Sequence, residues 1–309
     1  MEDIKKLNEK INLPKLLNDV QDLEMKNINL IFSLAKKIKN NNELYKKQPL
    51  LGKCIGMIFD EPSSRTYLSF VCAVNKLGGK CIDIKLKNSS MVKGENFEDT
   101  LITFQTYVDA LIIRVSNNNF FDEIKNLNLL KIPIINAGCG NKSHPTQGLL
   151  DLFTMQEEIG EINGKEISLV GDLSNSRTIK SLLHLLKNFD VKLNLVPYSD
   201  KMRLDRELVI ELENKRIVYN YYEILDDIIQ QSDIIYMTRL QKERGSQGLV
   251  FILDKQILNQ GKEELIIMHP LPRNREINQD IDNDKRAVYF KQMKYGFWVR
   301  MAILYHYLS

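Results

Sequence analysis

The tightest constraint on how this chain folds is an alternation that runs almost from end to end. Short, β-rich apolar runs are separated by segments whose apolar residues recur at helical spacing. Residues 54–59, 80–85, 109–114 and 132–136 read as strands, and 66–77, 95–106 and 119–127 read as helices between them. Helix 145–159 follows, opened by Pro145 and ended near Gly160. A second series then sets strands at 167–170, 191–196, 216–219, 234–237 and 265–268, with helices at 177–188, 203–213, 222–231 and 254–259. Ahead of all this, Ile28, Ile31, Phe32, Leu34, Ala35 and Ile38 predict a first long helix over 16–39. A strand-helix-strand rhythm suits parallel pairing, which needs a crossover between neighbours. The expected class is α/β, with two parallel-sheet domains joined by helix 145–159. A length of 309 residues, long for one core, agrees.

Composition removes several function classes. Forty-three basic against forty acidic residues leave a charge of +3, too near balance for nucleic-acid binding, so anion recognition must be local. No apolar run approaches the roughly 20 residues of a membrane span. The start, Met1-Glu2-Asp3-Ile4-Lys5-Lys6, is mixed in charge and lacks an apolar secretory core, so the cytoplasm is the expected location. Cys54, Cys72, Cys81 and Cys139 form no C-x-x-C pair and have no His at metal-ligand spacing; they read as reduced packing residues, with no metal expected. Val170-Gly171-Asp172-Leu173 follows a strand but fails the G-x-G-x-x-G pattern, so no nicotinamide or flavin cofactor is expected.

The most informative stretch is Phe59-Asp60-Glu61-Pro62-Ser63-Ser64-Arg65-Thr66-Tyr67. It lies between a strand and a helix, where backbone N–H groups and the positive end of the helix dipole favour an anion. Hydroxyls add donors there, and the Arg65 guanidinium adds a planar fork matched to phosphate. Ser and Thr also cap helices with no ligand at all, so the turn needs company to mean more. In the second series, Arg177 follows a comparable turn and Arg239 follows strand 234–237. Two arginines at strand carboxyl ends suit a dicarboxylate, because guanidinium pairs bidentately with carboxylate.

That company is present. The turn resembles the Ser-Thr-Arg-Thr phosphate loop of the carbamoyltransferases. Lys93-Gly94-Glu95, His144-Pro145-Thr146-Gln147, Arg239 to Arg244 and His269-Pro270-Leu271-Pro272-Arg273 follow in the order found in the aspartate carbamoyltransferase family, over about residues 16 to 305. The resemblance implies the aspartate/ornithine carbamoyltransferase fold, with a carbamoyl phosphate-binding domain at 1–144, onto which a C-terminal helix 295–309 packs back, and an L-aspartate-binding domain at 145–294. It implies transfer of the carbamoyl group of carbamoyl phosphate to L-aspartate in de novo pyrimidine (UMP) biosynthesis, giving N-carbamoyl-L-aspartate and phosphate, with no cofactor.

By the same resemblance, Ser63, Ser64, Arg65 and Thr66 bind the phosphate, joined by Arg114. His144, Thr66 and Arg114 stabilise the carbonyl oxygen, an effect commonly worth about 2.7 to 4 kcal/mol per donor. Gln147 and the main-chain carbonyls of Pro270 and Leu271 accept from the carbamoyl amide. Arg177 holds the α-carboxylate of aspartate, while Arg239, Gln241 and Lys93 hold the β-carboxylate. Ser89 and Lys93 reach into a neighbouring subunit's site, implying a homotrimer with shared sites. Glu61, Arg177 and Arg244 match interdomain salt bridges that favour closure. No side chain stands out as a general base, and the departing phosphate oxygen is implied to collect the amine proton. An ornithine-specific relative would carry His-Cys-Leu-Pro where this chain has His269-Pro270-Leu271-Pro272. Ser64 and Tyr67 depart from the usual Thr and Arg, and the loop after Arg244 is short. A regulatory chain stays an open question.

Overall fold

The computed structural model describes residues 13–41, 43–86, 94–126, 130–241 and 250–309. They form two compact units, Met1–Leu149 with Gly296–Ser309, and Leu150–Tyr295. The first contains β1 (Leu16–Leu17), α1 (Met25–Asn40), α2 (Glu43–Lys46), β2 (Cys54–Phe59), α3 (Ser64–Lys76), β3 (Lys80–Ile84), α4 (Phe97–Phe104), β4 (Ala110–Val115), α5 (Phe120–Asn126) and β5 (Ile134–Cys139), and α6 (Pro145–Ile159) begins in it. The second contains β6 (Lys165–Gly171), α7 (Arg177–Leu186), β7 (Val191–Pro197), α8 (Arg206–Asn214), β8 (Val218–Tyr221), β9 (Ile234–Met237), α9 (Lys255–Leu258), β10 (Ile266–Met268) and the start of α10 (Tyr289–Leu308).

Each unit is built on a parallel five-stranded sheet, in the order β1-β5-β4-β2-β3 in the first and β10-β9-β6-β7-β8 in the second. Both orders reverse direction once. From β2 the chain goes outward to β3 and then returns to the other side for β4 and β5; from β6 it goes to β7 and β8, then returns for β9 and β10. Ligands of open parallel sheets bind at such reversals, beyond the strands' carboxyl ends, because the loops diverge there and leave a crevice. Strands β4 and β5 are buried along their whole length, as expected for central strands covered on both faces. Leu111, Ile113, Phe121 and Ile124 lie in the first core, and Val170, Ile235, Met237 and Ile267 in the second. Truncating one of these to Ala typically costs about 2–5 kcal/mol.

Five sequence expectations need correction. The first helix begins at Met25, not residue 16: Leu16 and Leu17 form a strand, paired with Ile134 and Ile135, and Asp19 caps a short 3-10 turn over Val20–Asp22. Residues 222–231 are turns without a helix; Leu225, Ile228 and Ile229 are buried as their spacing predicts, but the bonds Ile228 N–H to Leu225 O and Gln231 N–H to Ile228 O are three-residue turns. The last helix begins at Tyr289 and continues through Gly296, because burial of its flanking residues outweighs the weak helix propensity of glycine. Strand β8 starts two residues later than expected, since Arg216 takes a left-handed φ of 57° at the end of α8. Cys139 is buried and Cys54 and Cys81 are half-buried, but Cys72 is exposed and does not pack as expected; all four are free thiols.

Candidate active site

In the first unit, the ends of β2, β4 and β5 bring the expected anion-binding residues together. Register pairs Phe59 of β2 with Arg114 of β4, and the Asp60 N–H donates to the Arg114 carbonyl at 2.9 Å, so Arg114 lies beside the start of the 60–66 turn. Its buried guanidinium reaches Glu61 Oε1 at 2.7 Å and the Ala137 carbonyl at 3.3 Å. Glu61 thus stands against Arg114, within its own unit. Ser63 is the N-cap of α3, yet its side chain makes no cap bond, and the first turn carries no acidic residue. A helix start whose cap hydroxyl is not turned onto its own backbone suits an external anion better than an ordinary cap does. Ser64 and Arg65 are exposed, and Thr66 is buried.

His144 comes from beyond β5. Its carbonyl accepts the N–H groups of Gln147 and Gly148, making it the N-cap of α6, and its Nε2 lies 3.4 Å from Thr66 Oγ1. His144, Thr66 and Gln147 are all buried. The approach to His144 is fixed by Asn136, whose Nδ2 donates to Ser143 Oγ and the Asn18 carbonyl, each at 2.8 Å, and whose Oδ1 accepts the Gly138 N–H at 2.7 Å. The sequence reading passed over Asn136. The available signal was an amide inside a strand where Asn is disfavoured.

In the second unit the corresponding ends belong to β6, β9 and β10. Val170 pairs with Met237, and the Thr238 N–H donates to the Val170 carbonyl at 2.8 Å, so the turns leading to Arg177 and Arg239 leave from adjacent strands. Gly171 is required at this exit: its φ is +128°, and a Cβ there would stand 2.5 Å from the Thr238 carbonyl oxygen. Buried Asp172 accepts from Ser174 Oγ and the Asn175 N–H at 3.3 and 3.2 Å, while Ser176 caps α7 at the Ile179 N–H. Arg177, the first residue of α7, is buried; Arg239 and Gln241 are half-buried. The third strand end carries Pro270 and Leu271. Leu271 holds a left-handed φ of 52°, uncommon for a residue with a Cβ. Ser89, Lys93 and Arg244 lie outside the described residues.

These observations define a class before they define a family: a protein of two parallel α/β units, each with basic side chains gathered where its strand order reverses. Residues 15–157 match the family described as aspartate/ornithine carbamoyltransferase, carbamoyl-P binding domain, and residues 163–307 match its Asp/Orn binding domain. The chain is 39% identical over 304 residues to the aspartate carbamoyltransferase catalytic subunit of Thermoplasma volcanium, covering 96% of this chain and 98% of that one. It is similar in structure to the Trypanosoma cruzi aspartate transcarbamoylase in complex with carbamoyl phosphate and aspartate, with a TM-score of 0.88, 34% identity, and coverage of 98% of this chain and 100% of that one. The chain belongs to the aspartate/ornithine carbamoyltransferase family. It also matches much longer proteins, such as the Dictyostelium discoideum multifunctional protein pyr1-3 at 38% identity, and spans only 13% of that protein's length.

Proposed function

We propose that this chain transfers the carbamoyl group of carbamoyl phosphate to the amine of L-aspartate, giving N-carbamoyl-L-aspartate and phosphate for pyrimidine (UMP) synthesis. The observation that carries the reading is the gathering of the 63–66 turn, Arg114 and the Thr66–His144 pair at the ends of β2, β4 and β5. In the reaction the aspartate nitrogen attacks the carbonyl carbon, the carbon-oxygen bond to phosphate breaks, and the amine proton leaves on the phosphate. Ser63, Ser64, Arg65, Thr66 and Arg114 hold the phosphate. His144, Thr66 and Arg114 meet the charge that develops on the carbonyl oxygen. Gln147 and the carbonyls of Pro270 and Leu271 orient the carbamoyl amide. Arg177, Arg239 and Gln241 hold aspartate, and the adjacency of β6 and β9 supports two guanidinium groups acting on one dicarboxylate. Ornithine, with a cationic side chain, does not suit that pair.

The proposal includes a homotrimer in which Ser89 and Lys93 complete a neighbour's site. Support comes from apolar side chains left exposed at an edge strand among the described residues: Ile82 of β3 is 47% exposed, and Leu68 of α3, tied to β3 by the Tyr67–Asp83 hydrogen bonds, is 60% exposed. It also places the protein in the cytoplasm, in keeping with its free thiols; among the described residues, no helix is long and apolar enough to cross a membrane. The test is an assay of the purified chain with carbamoyl phosphate and either aspartate or ornithine, beside a mass measurement of the oligomer. Carbamoyl aspartate is the expected product, and turnover of ornithine alone would overturn the acceptor assignment. Mixing Lys93→Ala and Arg65→Ala chains with subunit exchange should restore roughly a quarter of wild-type activity if sites are shared in a closed ring of three.

A further inference from the structure

We infer that His269, locked in a single neutral tautomer by Glu276, is the positioning residue for the Pro270–Leu271 turn. The inference rests on the proposed function, in which the carbonyls of that turn orient the carbamoyl group. Its geometry is independent of any substrate. The Leu271 N–H donates to His269 Nδ1 at 2.9 Å, so Nδ1 must offer a lone pair. The proton therefore sits on Nε2, which donates to Glu276 Oε1 at 2.8 Å. A proton on Nδ1, in the other tautomer or in the imidazolium, would face the Leu271 N–H and break the turn's one side-chain anchor among the contacts described.

The surroundings hold this state in place. His269 and Glu276 are 0% and 1% exposed. The Glu276 carboxylate also accepts the N–H groups of Asn274 and Arg275, at 3.0 and 3.1 Å, so a carboxylate is matched there by three donors. Burial pushes the Glu276 carboxyl up, but His269 and the backbone N–H groups of Glu276 and Asn274 hold it below its ordinary range. Burial pushes the His269 imidazole below its usual range, and Arg273 and Arg239 act in the same direction, against the pull of Glu276. The main chain is fixed as well. The His269 N–H donates to Gln292 Oε1 at 3.0 Å, Gln292 donates to Asp151 at 2.6 Å, and the Tyr236 hydroxyl donates to the other Asp151 oxygen at 2.7 Å. This chain of bonds runs from β9 through α6 and α10 to His269. It then reaches Leu271, whose left-handed φ of 52° aims the turn. A residue in that region persists only where its surroundings over-determine it, and His269 supplies the local determinant.

Two substitutions separate aim from bulk. In His269→Asn the side-chain oxygen falls where Nδ1 stood and accepts the Leu271 N–H as an Asx turn does, while contact with Glu276 is lost. In His269→Gln the amide reaches Glu276 but leaves no acceptor beside Leu271. Turnover in His269→Gln should fall about a hundredfold, the scale of an ångström-sized misplacement of a substrate-positioning group, and His269→Asn should stay within about tenfold of wild type. Both should lose similar thermal stability, since both vacate buried ring volume. Equal turnover in the two variants, or the reverse order, would overturn the inference. Should neither variant fold, nitrogen-15 NMR of the wild-type imidazoles decides it: a neutral His269 protonated on Nε2 at pH 7 is expected, and a proton on Nδ1 rejects the inference. A wild type with the expected tautomer but no turnover would sink the proposed function, and with it the catalytic part of this inference; the wrong tautomer in an active enzyme would sink this inference alone.

Discussion

Ser63 and Ser176 occupy the same station in the two units. Each follows the strand from which the sheet order reverses, each is the N-cap of the next helix, and an arginine lies within two residues of each. Ser176 turns its hydroxyl onto the Ile179 N–H, and Asp172 gathers the turn before it. The Ser63 side chain makes no cap bond. The first unit thus keeps a helix start suited to an outside anion, whereas the second satisfies its turn internally, and in the proposed function recognition there falls to the Arg177 and Arg239 side chains. On the proposed function, the same topology would serve two kinds of anion: a compact phosphate in the first unit, and carboxylates spread along a flexible molecule in the second.

The sharpest break of this comparison is His144→Ala. If the first unit stabilises developing charge, turnover should drop by about 2.7 to 4 kcal/mol while carbamoyl phosphate binding changes far less, as steady-state kinetics with direct binding would resolve. A variant with full turnover and only altered stability would reduce His144 to a helix cap. Next, Arg65→Ala and Arg239→Ala should each lose about 1.5 to 3 kcal/mol, the first through carbamoyl phosphate and the second through aspartate. Arg239→Ala with unchanged aspartate kinetics would erase the division of labour between the units.

A smaller effect concerns acid. Burial holds His306, in the first unit, at about 4, well below an ordinary histidine. Between pH 6.5 and 4 the unfolded chain binds a proton that the folded chain refuses, so the stability tied to His306 is full above 6.5 and is lost as pH falls towards 4. Denaturant titrations should show this slope, and His306→Gln should reduce it, leaving a contribution of the same sign from His269 in the second unit. The least change belongs to the two caps. Ser176→Ala should cost about 0.5 to 1 kcal/mol of stability, as loss of a long cap bond does, and Ser63→Ala only a few tenths. Ser63→Ala should nonetheless weaken phosphate binding measured by calorimetry. Equal stability losses would show that Ser63 is a cap after all.

Local periodicity made most of the elements legible, because strands buried on both faces read as apolar runs and amphipathic helices repeat their apolar positions. It reported burial more faithfully than backbone path. Leu225, Ile228 and Ile229 are buried as read, yet they sit on turns, and Leu16 and Leu17 are buried as strand because β5, far along the sequence, supplies the ladder. The candidate site divides in the same way. Ser63, Arg65, Arg177 and Arg239 were visible because strand-to-helix turns and strand ends have a local signature, whereas His144 was singled out only through the His-Pro-Thr-Gln resemblance. Asn136, Asp172 and the His269–Glu276 pair were not given roles, since each acts through bonds to groups that only folding brings near.

By itself, then, the sequence determined the parallel α/β class and the order of most elements, and it marked the strand-end arginines and hydroxyls on which the proposed function draws, all properties of neighbouring residues. Tertiary structure alone decided which strand ends adjoin, that Arg114 lies against Glu61, that Thr66 meets His144, and which nitrogen of His269 carries its proton. The reason is physical: a local pattern fixes which face of an element leaves water, but a buried polar atom must find its hydrogen-bond partner wherever the packed chain provides one.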